Sequence, residues 1–365
     1  MRIAVVQHIQ AGYYSEYLSS LIDEAAVEAN YQIKTWSNSI PVFNQFISDD
    51  SVIYIIIEST GSFTLKWWYA VKLPSVLKKI KADVVVDLNG LISPAKIPQL
   101  IAIDQTIPAK KNKSINAISK LADKELEHSI QHVQHVVTYS ENKAETFIKD
   151  DTKKSKLQII RFTAAEEFRK FEWHEKIMIK AMQADNNEYF ISILKDDDEN
   201  NFTLLLRGFS KFKKWQQSSM KLLLLPKYEI FDNIIHEKLK TYKYRDDVRL
   251  LENLEGTQLV QVVASAHSCI HISSAFADLM VLSIALKCTL PIITDKNPDI
   301  QEYVNSAAYY FNNKSEEFLG DALINLYKDE NLHAQLKEEA EKQCVFLNRQ
   351  EYKSKLWQLL QTTHI

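Results

Sequence analysis

Short apolar runs alternate with stretches of helical period along nearly the whole chain, and this rhythm limits the fold more than any other feature. Arg2 to Gln7, Gln32 to Trp36, Val52 to Ile57 and Asp83 to Asp87 read as strands, the last built on three uninterrupted valines. Between them lie amphipathic runs such as Ser15 to Ala29, with Leu18, Leu21 and Ile22 on one face. Leu73, Val76, Leu77 and Ile80 mark a further helix whose outer face carries lysines. Strands that alternate with helices, and that are apolar throughout, belong to parallel sheets covered on both faces.

The pattern continues through Leu100 to Asp104, a helix over Ile115 to His132, the strand His135 to Thr138, and a helix capped by Ser140. Lys156 to Thr163 reads as the last strand of a first domain, and Ala164 to Trp173, which lacks periodicity, as a linker. Later strands are expected at Tyr189 to Leu194, Met220 to Leu225, Val248 to Leu250, Cys269 to Ile272 and Pro291 to Thr294. Three helices close the chain: Glu316 to Tyr327, Leu332 to Cys344 and Arg349 to Leu360. A chain of 365 residues exceeds one ordinary core, so two domains are expected. The boundaries fall at 1–163 and 164–345, with 346–365 as a terminal helix.

Composition excludes some functions. A net charge of −3 argues against bulk nucleic-acid binding, although residues 61–120 carry ten Lys against three Asp. Cys269, Cys288 and Cys344 lie far apart and form no C-x-x-C pair, as expected for reduced thiols in a cytoplasmic protein. Met1 to Val6 reads as a strand and not as a signal peptide, and no run of 18 apolar residues occurs. Glycine is scarce, at six residues, where average usage of about 7% would give roughly 25. Phosphate-cradling loops use glycine for close backbone approach, so this scarcity counts against a nucleotide site.

The stretch Asn297-Pro298-Asp299-Ile300-Gln301-Glu302-Tyr303, followed by Ala307-Ala308-Tyr309-Tyr310-Phe311, carries a family resemblance. With Ala285 to Thr294 before it, it resembles the distal half of the sugar-nucleotide site of family 4 ("group 1") retaining glycosyltransferases. Leu259 to Ser274 is similar to the segment that leads into that site, and Tyr139 to Lys143 to a motif of the first half. The resemblance implies the GT-B fold: two Rossmann-like parallel-sheet α/β domains facing across a cleft, with a C-terminal helix crossing back to the first domain. Trp357 and Leu360 would anchor that helix. It also implies a nucleotide-sugar donor as substrate, a glycan or glycoconjugate acceptor, and no metal ion or other cofactor.

Several groups the family uses are replaced. Departure of a diphosphate needs cations aimed at it, and the family supplies an Arg and a Lys after the second domain's first strand. That loop here reads Leu194 to Asn201: Lys195 is the remaining cation, and Asn200 or Asn201 stands at the Lys position. Of the family's E-x7-E pair, the first Glu falls on Ala277 beside Asp278, and the second, which bonds ribose hydroxyls, on Ile284. A first-domain His is replaced by Ile103, beside the retained Asp104 and Pro108, and the glycine-rich first turn keeps only Gly12. The donor-binding candidates are therefore Gly12, Lys195, Asn200, Asn201, Ser274 and Asp278. No catalytic residue is assigned, Asp104 and Asp278 being the candidates.

Each of these residues also has a plainer reading. The acidic run Asp196-Asp197-Asp198-Glu199 could bridge a metal to a diphosphate or be a solvated turn, and Asp278 could simply cap a helix. His128, His132 and His135 could ligate zinc or line a solvated helix face. Lys66-Trp67-Trp68-Tyr69 could be a peripheral contact with anionic lipid on the inner face of the membrane or could pack inside the first domain. Three functions follow: a divergent sugar transferase, a non-catalytic relative that binds a glycan or partners an active transferase, and a GT-B epimerase.

Overall fold

The computed structural model describes all residues except 9–11, 37–49, 59–61, 104–112, 148–153, 195–198, 216, 227–231, 253, 255, 273–278, 313–314 and 364–365. The chain forms two compact units: Met1–Phe162 together with Gln350–Ile365, and Thr163–Arg349.

In the first unit seven parallel strands are ordered β2-β3-β1-β4-β5-β6-β7. They are β1 (Arg2–His8), β2 (Gln32–Trp36), β3 (Ser51–Ile57), β4 (Val84–Asp87), β5 (Gln99–Ala102), β6 (His135–Thr138) and β7 (Leu157–Ile159). β1 is central: Ile3 is in register with Val52 of β3 on one side and Val84 of β4 on the other. That placement explains why Ile3, Val52 and Val84 are fully buried and apolar. Helix α1 (Tyr13–Glu28) follows β1, and α2 (Ser62–Trp67) runs through a π-helical turn, Trp68–Lys72, into α3 (Leu73–Ile80). The turn carries Trp68 and Tyr69 into the core while Trp67 stays half exposed. α4 (Lys113–His132) and α5 (Glu141–Phe147) complete the run, and Ser140 Oγ accepts from Lys143 N at 3.1 Å as the expected cap.

The strand expected over Lys156 to Thr163 is only three residues long. Beyond it, the carbonyls of Ile160 and Arg161 accept from the hydroxyls of Tyr14 and Tyr17, at 2.9 and 2.8 Å, instead of from a neighbouring strand. The final helix of the chain, Arg349–Thr363, packs within this unit from Gln350 onward. Leu356 and Leu360 are buried, the Trp357 ring meets Tyr31 edge-on at 5.0 Å, and Lys353 pairs with Glu28.

The second unit holds six parallel strands in the order β10-β9-β8-β11-β12-β13. They are β8 (Tyr189–Leu194), β9 (Lys221–Pro226), β10 (Val248–Leu250), β11 (Ser268–His271), β12 (Ile292–Asp295) and β13 (Ala308–Phe311). The helices are α6 (Trp173–Ala184), α7 (Glu199–Trp215), α8 (Asp232–Lys240), α9 (Gly256–Ala264), α10 (Leu279–Lys287), α11 (Pro298–Val304), α12 (Glu316–Lys328) and α13 (Glu330–Cys344). An aromatic ladder, Phe209–Phe212–Tyr327 with Phe190 against Phe212, fills one face of the sheet. There α7 and α12 meet through glycines: a Cβ on Gly208 would lie 2.7 Å from Leu319 Cγ, and one on Gly320 2.7 Å from Lys211 Cβ. Two of the six glycines are thus spent on a close helix contact and not on phosphate loops.

Candidate functional site

Parallel α/β sheets bind ligands beyond the carboxyl ends of their strands, where the strand order reverses. In the second unit that point lies between β8 and β11. β8 ends at Leu194 and leads, through 195–198, into α7, whose first turn carries Asn200 (exposed) and Asn201 (half-buried). β11 ends at His271, which is in register with Thr294 of β12. Both side chains are buried, and His271 Nδ1 lies 3.0 Å from Thr294 Oγ1. Asp295, also buried, closes β12. Pro298 then opens α11, where the Asn297 side chain accepts from Asp299 N at 2.9 Å. Imidazole and hydroxyl thus meet at the carboxyl ends of two neighbouring strands, with the Asp295 carboxyl one residue further along β12 on the other face of the sheet.

Of the residues singled out from sequence, Asn200 and Asn201 stand on this edge. Lys195, Ser274, Asp278 and Ala277 lie outside the described residues, as do Asp104 and Pro108 in the first unit. Ile284, where the family has its ribose-binding Glu, is half-buried in α10. Glu199, the end of the acidic run, pairs with Lys238 of α8 at 3.0 Å. Gly12 is buried at the start of α1, in extended backbone at φ −74°.

The first unit's strand order reverses between β1 and β4, and a buried polar network occupies the carboxyl ends of both. Asp87 is the last residue of β4 and is 1% exposed. Its Oδ1 accepts from the backbone N–H of Asn89 and of Leu91, at 2.9 and 3.0 Å, and its Oδ2 from the Tyr69 hydroxyl at 2.6 Å. The Asn89 amide donates to Tyr69 Oη at 3.0 Å, while its Oδ1 accepts from His8 N at 3.0 Å. Burial pushes the Asp87 carboxyl up to about 7, against the pull of the donors around it. Gly90 follows in the left-handed region, φ +77°, a conformation that favours glycine.

Neither network is visible in residue spacing. Asp87 looked like the end of a valine strand, and its partner Tyr69 arrives from the π-helical turn; His271 and Thr294 meet only through strand register. The signal was present as polar residues closing otherwise apolar strands. Of the histidines expected to ligate zinc or line a solvated face, His128 and His132 sit on α4 with ring centroids 4.3 Å apart, His132 Nδ1 against the His128 carbonyl at 2.8 Å, while His135 opens β6. Burial lowers the pKa of His135. Among the described residues no group of three His, Cys, Asp or Glu could hold a metal ion. No helix among them is long and apolar enough to cross a membrane.

Comparison with known proteins agrees with this fold. Residues 174–343 match the family model described as "Glycosyl transferases group 1". No curated protein matches the sequence. Among solved structures the chain is similar to WaaG, a glycosyltransferase involved in lipopolysaccharide biosynthesis, at 12% identity over 99% of both chains, TM-score 0.69. It is also similar to a glycosyltransferase from Rickettsia africae, at 11% identity over 99% of this chain and 98% of that one, TM-score 0.71. Anabaena Alr3699/HepE, solved in complex with UDP-glucose, matches at 11% identity over 99% and 100% of the chains, TM-score 0.69. These are GT-B proteins, and the two parallel-sheet α/β units are of that fold. Over residues 174–343 the second unit is similar to the group 1 glycosyltransferases.

Proposed function

We propose that the protein transfers a sugar from a nucleotide-activated donor to a glycan or glycoconjugate acceptor, in polysaccharide biosynthesis on the cytoplasmic side of a membrane. The observation that carries this reading is the group 1 match over residues 174–343. It spans the polar edge where β8, β11 and β12 end. There Lys195, Asn200, Asn201 and Ser274 would hold the diphosphate, with the ends of β11 and β12 as the floor. Donor departure is helped by the one lysine and by neutral donors, in place of the family's two cations. Titration with UDP, GDP and ADP tests the reading: one of them should raise the melting temperature, and Lys195→Ala should abolish that rise.

A second reading, a non-catalytic relative that binds a glycan or partners an active transferase, is favoured by Ile284. A half-buried isoleucine cannot accept hydrogen bonds from ribose hydroxyls. On that reading no nucleotide binds, and the partner transferase co-purifies.

Contact with an anionic membrane surface belongs to the same proposal. Trp68 and Tyr69 pack inside, but Phe63 (84% exposed), Trp67 and Val71 form an exposed stripe at four-residue spacing. Exposed Lys66 and Lys72 flank it. Aromatic rings beside lysines suit the interface of an anionic bilayer. Sedimentation with vesicles containing phosphatidylglycerol should carry the protein down, and Phe63→Ser with Trp67→Ser should lower the bound fraction at least fivefold. Binding unchanged by the double substitution would overturn this part of the proposal.

A further inference from the structure

A cavity of about 330 Å³ opens in the second unit on the side of its sheet away from the strand ends described above. Glu188 precedes β8, Ala266 and His267 precede β11, and Thr289 to Pro291 precede β12, so the cavity sits at the amino edge. Substrates of such sheets bind at the opposite, carboxyl edge. The remaining walls come from α6 and the residues before it, and from His333 and Lys337 of α13.

The charges in this cavity do not balance. Lys180 pairs with Glu188, and Lys170 with Glu341. Glu172 is engaged by its own helix, its side chain accepting from an N–H of the first turn in a capping box with Glu175. The rings of His267 and His333 stand 4.2 Å apart, and His333 Nε2 donates to the His267 carbonyl at 3.0 Å. Burial first, then His333 and the nearby lysines, push His267 down to about 3, and burial lowers His333, so neither ring favours a positive charge here. Lys176 and Lys337 are left, both half-buried, without an ion-pair partner among the described residues. Burial first, then Lys337 and Lys180, bring Lys176 down to about 8. Cations drawn together without a counter-ion repel one another, and an anion between them would remove that cost.

We propose that this cavity is a second ligand site, distinct from the sugar-transfer edge, that takes a small phosphorylated molecule between Lys176 and Lys337. Lysines bind phosphoryl oxygens as point charges and do not need the fixed geometry of a guanidinium. A dianionic phosphoryl group matches the two unpaired ammonium groups. Phe171 and the largely exposed indole of Trp173 give the organic part an apolar wall. The volume lies at the lower end for small-molecule sites, as a sugar phosphate or nucleoside monophosphate requires.

Calorimetric titration of the full chain with inorganic pyrophosphate tests the assignment. The wild type and Lys195→Ala should bind with the same affinity, while Lys176→Gln and Lys337→Gln should each weaken binding at least tenfold. Both glutamine variants relieve repulsion, so their melting temperatures without ligand should equal or exceed that of the wild type, which separates lost binding from lost folding. Absence of saturable binding would overturn the proposal. So would binding lost in Lys195→Ala but kept in the two glutamine variants.

Discussion

Replacing Asp87 with asparagine should remove a pH dependence from the stability of the first unit. The Asp87 carboxyl is buried and raised from 3.8 to about 7, burial being the largest cause. A carboxyl whose folded-state pKa lies above its unfolded value binds its proton more tightly when folded. Its contribution is complete below pH 4 and is lost as pH rises through 7. At about 1.4 kcal/mol per unit, the loss comes to roughly 4 to 5 kcal/mol across that window. Asparagine keeps an acceptor for the N–H groups of Asn89 and Leu91, and the Tyr69 hydroxyl can turn to accept from the new amide. Urea unfolding at pH 5, 6, 7 and 8 should therefore show a steep decline for the wild type and a flatter one for Asp87→Asn. Parallel declines would mean that Asp87 stays ionised throughout and that its donors outweigh burial.

Valine at Gly208 or at Gly320 should each destabilise the second unit by on the order of 3 kcal/mol, the upper part of the range for overpacking. A Cβ at Gly208 falls 2.7 and 2.8 Å from Leu319 Cγ and Cδ2. Leu319 is fully buried in the cluster that contains Phe209 and Phe212, so it has nowhere to go. A Cβ at Gly320 meets the Cβ of Lys211, an atom fixed to the backbone, so the mobility of the outer lysine stem gives little relief. Either substitution must push α7 away from α12. The same displacement relieves both clashes, so the double variant should cost clearly less than the sum of the singles. Chemical denaturation of the four proteins measures this, and strict additivity would show that the two contacts are relieved separately.

Much of the fold could be read from the sequence because most strands are apolar on both faces. Gln32–Trp36, His135–Thr138, Tyr189–Leu194 and Val248–Leu250 have the bounds their side chains suggest. Periodicity does not mark where α6 begins: its first turn, Trp173 to Lys176, is exposed or only half-buried and adds no buried apolar residue to the helical pattern. The capping box of Glu172 and Glu175 was the available cue. Lys66 to Tyr69 was read as one patch, but the turn to π-helix splits it, sending Trp68 inward and leaving Trp67 outside. Less of the site was legible. Tyr69 reaches Asp87 across 18 residues, and His271 reaches Thr294 across 23. The lysines of the amino-edge cavity come from helices far apart in sequence. Such meetings depend on topology, which residue spacing does not encode.

On the proposed function the carboxyl edge of the second sheet grips a nucleoside diphosphate, although most of the family's charged groups there are replaced. Thermal unfolding of the wild type, Lys195→Ala and Lys176→Gln in UDP, GDP and ADP tests it most directly. One nucleotide should stabilise the wild type and Lys176→Gln alike and leave Lys195→Ala unmoved. No shift with any of the three, in a wild type that unfolds cooperatively, would contradict it.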